Sequence, residues 1–171
     1  MTTHADKLAN LERFGAHYSY DTTYLQELLN AAPEAFDLFS QAQPMGRYRE
    51  QLPLDAHIVA RLSAMQSEDC GPCAQLTLRM AVEEGVSHEF LRTLLEAPGR
   101  LPQDLQDVRE HARYVVGRTE ADPERLERLR RAYGNAGVAE LALAITGARM
   151  YPALKRALGH GQSCERLSLD F

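Results

Sequence analysis

The stretch "LDAHIVARLSAMQSEDCGPCAQLTLRM", Leu54 to Met80, decides the fold class. Leu54, Ile58, Leu62 and Met65 recur at helical spacing and predict a helix with one apolar stripe. Leu76, Leu78, Met80 and Val82 carry a second helix up to Gly85, a residue suited to the left-handed turn after a helix. Between the two stand Cys70, Gly71, Pro72 and Cys73. Glycine and proline both resist a helix interior, but proline is tolerated in the first turn. The second helix therefore starts at CGPC, with Cys70 at or just before the first turn and Cys73 inside it.

Outward from this stretch the punctuation stays helical. Asp21 caps a helix running to about Asn30, and Pro33 opens another that carries Phe36 and Phe39 and ends at Pro44 and Gly46. Ser87 caps a short helix with Phe90, Leu91, Leu94 and Leu95, closed by "APGRLP". A further helix spans about Gln103 to Arg118. Asp122 followed by Pro123 is a cap and a first-turn proline, opening a helix that ends near Gly134. A last long helix spans about Val138 to Leu158, bent near Pro152, and "GHGQSCERLSLDF" reads as a tail. Leucine and alanine dominate and Trp is absent, which favours helix over strand. The expectation is one all-α domain over residues 1–171: a helical extension over 1–50, a core over 52–159 and a tail over 160–171.

The 171 residues bury enough apolar surface to fold without disulfide staples. A formal net charge of −5 argues against a nucleic-acid partner, which calls for a concentrated basic surface. Arg128, Arg130 and Arg131 lie among glutamates and read as a solvated helix face. No apolar run reaches the length that spans a bilayer, and "MTTHADKLANLERF" lacks the apolar segment of a secretory signal. The expected compartment is the cytoplasm. Thiols there are kept reduced, so a CxxC pair is catalytic or metal-binding rather than a staple.

At a helix N-terminus the orphan N–H groups and the positive end of the macrodipole stabilise a thiolate and make it the better nucleophile. On that ground Cys70 attacks and Cys73 closes the disulfide. Two other readings compete. The cysteines can be small buried hydrophobes, or they can join His160 and Cys164, four residues apart, in a Cys3His zinc set. The zinc set requires ligands 87 residues apart (160 − 73), the second pair being on the tail. CGPC is also the tetrapeptide of thioredoxins, but the helix before it denies the βαβ setting of that fold.

From about Leu52 to Gly159 the chain resembles the carboxymuconolactone decarboxylase / alkylhydroperoxidase D (AhpD) family. The resemblance rests on the order of parts: "LDAHIVARLSAMQ", then "DCGPC", then "AQLTLRMAVEEGVSHEFLRTLLE", then the "ADPERLERLRRAYG" start and a long Ala/Leu helix. It implies an all-helical homo-oligomer (dimer, trimer or hexamer), no cofactor, a small peroxide or disulfide substrate and a separate thiol reductant. It also implies that Cys73 attacks the peroxide and Cys70 is its partner, the reverse of the dipole argument; the order stays open at this stage. The family's glutamate on the preceding helix and its histidine after the second cysteine are replaced by Ile58 and Thr77. His57 and Glu68 are the substitute acid–base candidates beside Cys70 and Cys73, while Gln75 or Thr77 can hydrogen-bond a thiolate. His57 reads rather as a polar or interface position, and Glu68 equally as a carboxylate stabilised by the helix dipole. Nothing marks a lactone-acid site. Phe14, Tyr18, Tyr20, Tyr24, Phe36 and Phe39 concentrate ahead of the core and either cover it or make an interface.

Overall fold

The computed structural model describes residues 2–161 and 167–170, and these are all-α, with no strand among them. The first helix, α1 (His4–Tyr18), is closed by a capping box. The Thr3 hydroxyl accepts from the Asp6 N–H at 3.2 Å, and the Asp6 carboxylate accepts from the Thr3 N–H at 2.9 Å. α2 (Thr23–Ala31) and α3 (Pro33–Ala42) follow, then a 3₁₀ turn over Gln43–Arg47. α4 (Leu54–Ser67) and α5 (Gly71–Glu83) flank the CGPC break. α6 (His88–Glu96) is capped by Ser87, and α7 is Gln103–Val115. α8 (Pro123–Ala157) is capped by Asp122, whose carboxylate accepts from the N–H groups of Glu124 and Arg125. Gly134, at φ 69° and ψ 175°, interrupts it where the sequence predicts one helix ending and another beginning.

α4 is the central element. It packs against α5, α7 and α8, and every residue from Ala56 to Met65 is buried. The single apolar stripe expected from the sequence is therefore a minimum: His57, Arg61 and Ser63 are enclosed too. α1 to α3 form a second, smaller cluster on Tyr20, Tyr24, Leu25, Leu29 and Phe36, against which Leu76 of α5 and Leu154 of α8 pack. Of the two roles open to the N-terminal aromatics, Tyr20, Tyr24 and Phe36 take the core one.

Three ties fix the relative placement of these parts. Glu140 of α8, itself buried, accepts from the backbone N–H groups of Glu50, Gln51 and Leu52 at 3.0, 3.0 and 2.8 Å. Burial works to raise its pKa, but these three donors outweigh it and hold the carboxyl below its ordinary value. Gly46 and Gly147 meet backbone to backbone: a Cβ on Gly147 would lie 2.4 Å from the Gly46 Cα. Arg128 keeps part of its side chain exposed, but its guanidinium grips the buried Asp107 of α7 through two 2.7 Å hydrogen bonds. Arg130, by contrast, pairs with Glu127 on an exposed face, as the sequence suggests. The tail is partly docked as well. The Gln75 side chain exchanges hydrogen bonds with the Ser168 backbone at 2.8 and 2.9 Å, and Leu167 and Leu169 pack on the core.

Candidate functional site

The site begins in the turn between α4 and α5. Asp69 takes a left-handed conformation, φ 53°, which reverses the chain after α4. Cys70 then occupies the N-cap, and Gly71 and Pro72 form the first turn, where the missing proline N–H costs nothing. Cys73 follows within that turn. One helical turn brings the two side chains together; the cysteines lie at disulfide distance with Cα atoms 5.3 Å apart. Both are buried, Cys70 at 8% exposure and Cys73 at 2%.

Each cysteine borders a different cavity. Cys73 borders an opening of about 590 Å³ between the N-terminal helices and the α4–α5 pair, with Tyr20, Arg61, Met65 and Thr77 in its wall. Cys70 borders a second opening of about 450 Å³, walled by Glu68, Arg118, Lys155 and Arg156.

Glu68 stands at that second opening, but its carboxylate is fully engaged. The Arg149 Nε donates to one oxygen at 2.7 Å, and Arg156 donates to the other. Arg156 also donates to the Glu68 carbonyl at 2.8 Å. Burial works to raise the Glu68 pKa, yet the two guanidinium groups outweigh it and hold the carboxyl below its ordinary range. Such a group is a poor proton acceptor; it locks the CGPC turn to α8.

His57 is placed elsewhere. It lies in the first turn of α4, ten residues before Ser67, hence about 15 Å from the CGPC end of that helix, and it borders neither cavity. Neither ring nitrogen makes a well-formed hydrogen bond, and the backbone of Gly46 is the polar group nearest to satisfying one. Burial first, then the charges of Arg61 and Arg49, push its pKa down to about 4. It is a neutral interior histidine, out of reach of the sulfur atoms. Of the two thiolate donors expected, the Gln75 amide is taken up by the tail and the Thr77 hydroxyl donates to the Cys73 carbonyl at 2.9 Å. Ile58 is fully buried.

The group beside Cys73 is one that the sequence reading did not single out. The Tyr20 hydroxyl lies 3.6 Å from the Cys73 Sγ and 3.2 Å from the Tyr24 hydroxyl. Burial pushes the Tyr20 pKa up to about 12, so the phenol stays protonated and can donate to a thiolate. The Lys155 ammonium sits 5.3 Å from the centroid of the Tyr20 ring and 5.6 Å from that of Tyr24. Lys155 is 4% exposed, makes no ion pair among the described residues, and borders the Cys70 cavity. Asp21 is the carboxylate that feels its charge, and an enclosed cation at this wall also favours a thiolate at Cys70, which borders the same cavity. In the reduced protein, Tyr20→Phe is expected to slow alkylation of Cys73 at neutral pH roughly tenfold, because a hydrogen bond to a charged group is lost. The pH profile of iodoacetamide labelling, followed by peptide mass spectrometry, checks this; an unmoved profile would show that the hydroxyl does not stabilise the thiolate.

The zinc set of Cys70, Cys73, His160 and Cys164 falls partly outside the described residues. His160 is hydrogen-bonded to Glu27 at 2.6 Å, Cys164 lies outside the described residues, and no three metal-ligating side chains converge among the described residues. No helix among the described residues is long and apolar enough to cross a membrane. No protein-family model, curated protein or solved structure matches the chain.

Proposed function

We propose that this protein is a thiol–disulfide oxidoreductase of the alkylhydroperoxidase D type, reducing organic hydroperoxides with the Cys70–Cys73 pair. The observation that carries the reading is the juxtaposition of a closable CxxC pair with the Tyr20 hydroxyl at the wall of a mostly apolar cavity. Cys73 borders that cavity and takes the nucleophile's role. Its thiolate attacks the outer peroxide oxygen, the O–O bond breaks, and Cys73 becomes a sulfenic acid while an alkoxide leaves. Tyr20 is the proton donor within reach of that alkoxide, since a phenol with a pKa near 12 still protonates it. The Cys70 thiolate then attacks the sulfenic sulfur, the disulfide forms, and hydroxide leaves to be protonated to water. The sum is two thiols and one hydroperoxide giving one disulfide, one alcohol and one water.

A thiol reductant of the reducing cytoplasm restores the pair by attack on the disulfide. Without the family's Glu and His relay the peroxide step is slower than in members that have it, since a positioned acid–base group supplies roughly 10²–10⁴-fold. The test is one equivalent of cumene hydroperoxide added to the reduced protein. The peptide holding both cysteines is expected to lose two hydrogens as one equivalent of alcohol appears. Two free thiols after exhaustive mild oxidation would sink the reading. The protein is further proposed to be a homo-oligomer, for which light scattering should give a multiple of the 19.2 kDa subunit mass; a mass of one subunit would exclude it.

A further inference from the structure

We infer that the cavity beside Cys73 binds apolar carboxylates, so that the hydroperoxide this protein prefers is that of a fatty acid. The inference rests on the redox reading for its chemistry, but not for the binding itself. The cavity, of about 590 Å³, is in the range that holds small organic ligands, and its wall is mainly apolar, with Leu25, Phe36, Leu76 and Met80 among its members. Its charged groups are few and unequal. Asp37 is already paired with Lys7. Arg47 and Arg61 both face the cavity, and between them they have one carboxylate partner, Glu84, whose oxygen lies 3.5 Å from the Arg61 guanidinium. That is longer than the roughly 2.7–2.9 Å of a well-made charged hydrogen bond. Arg61 is 8% exposed, and Arg47 makes no hydrogen bond or ion pair among the described residues.

A buried guanidinium beside a second one is an expensive arrangement in the wall of a mainly apolar cavity. Burial, together with the neighbouring Arg47 charge, holds the Arg61 pKa below its ordinary value, even against the pull of Glu84. A carboxylate between the two arginines would relieve both penalties and accept from their planar donor forks. The placement of Arg47 is built in: it ends the 3₁₀ turn whose Gly46 is packed backbone to backbone on Gly147. A ligand held at its carboxylate by this pair would lay its hydrocarbon chain along the apolar wall. A hydroperoxide group on that chain could then reach Cys73 in the same cavity.

The experiment uses the full chain with its disulfide closed and compares decanoate with decanol by titration calorimetry. Decanoate is expected to bind at least tenfold more tightly than decanol, and Arg61→Met to abolish that difference. Since Arg61 is buried and its replacement can perturb folding, Arg47→Met, at an exposed position, is the second variant and should shrink the difference severalfold. In turnover, the ratio of kcat/KM for linoleic acid hydroperoxide to that for cumene hydroperoxide should fall in both variants. Equal affinity for decanoate and decanol, or a ratio unmoved by either substitution, would overturn the inference. A Cys70→Ser/Cys73→Ser double variant separates the two readings. Carboxylate binding that persists there, beside a wild type that consumes no hydroperoxide, upholds the site and ends the peroxidase. Hydroperoxide consumption without carboxylate preference does the reverse.

Discussion

Reduced Cys73→Ser protein is expected to consume organic hydroperoxide no faster than buffer, a loss of at least roughly a thousandfold, as follows removal of an essential nucleophile. Cys70→Ser should behave differently. Its Cys73 still attacks, so one equivalent of hydroperoxide is consumed, and turnover then stops at a sulfenic acid with no thiol to condense with. Dimedone should label Cys73 in that variant. The asymmetry comes from the surroundings: Cys73 borders the large cavity and has the Tyr20 hydroxyl at 3.6 Å, whereas Cys70 borders the opening walled by Glu68, Arg118, Lys155 and Arg156. The helix dipole alone favours the opposite assignment, because Cys70 is the N-cap. Dimedone labelling of Cys70 in Cys73→Ser, with no labelling in Cys70→Ser, would show that the dipole wins.

The largest expected effect on stability lies far from the sulfur atoms. Glu140→Ala should lower unfolding free energy by about 3–5 kcal/mol, since it removes a buried acceptor and leaves the N–H groups of Glu50, Gln51 and Leu52 without their partner. Against a typical total of about 5–15 kcal/mol this is a large fraction. Urea unfolding with an unchanged slope measures it. The pH dependence carries a defined sign. The folded-state pKa of Glu140 is lowered, so its contribution is complete above the unfolded carboxylate pKa of about 4.3 and is lost as pH falls through the lower folded value. The stability gap between wild type and Glu140→Ala should therefore close on acidification. A gap unchanged down to the acid transition would mean that the carboxylate charge is not what anchors the segment.

The helices and the position of CGPC were legible because their signals are local. Asp122 with Pro123, Ser87, Pro33 and Gly134 act on their own backbone, and the structure uses each as the sequence implies. The capping box of Thr3 and Asp6 is equally local and could have been read. The surroundings of the cysteines were not legible in the same way. Spacing within a helix reports which residues share a face, and it says nothing of which other helix covers that face. Glu68, two residues before Cys70, invites a proton-transfer role, and only the return of α8 shows both of its oxygens taken by Arg149 and Arg156. His57 is close to the family's glutamate position in sequence, but sits at the far end of α4 from the sulfur atoms. Tyr20 stands among six aromatics that read as core or interface, and Lys155 among ordinary surface-type residues of a long helix. No periodicity marks either one.

The contacts around Cys73 also fix when, during synthesis, this site comes into being. Tyr20 precedes Cys73 by 53 residues and Lys155 follows it by 82 (155 − 73), so the setting of the two sulfur atoms is assembled from segments far apart in sequence. A nascent polypeptide that has emerged as far as α5 holds both thiols and Tyr20, but not the Lys155 ammonium. α8, which brings Lys155 over the Tyr20 and Tyr24 rings, leaves the ribosome well after α5. On the redox reading proposed above, the full setting of the two sulfur atoms is therefore in place only after α8 has docked.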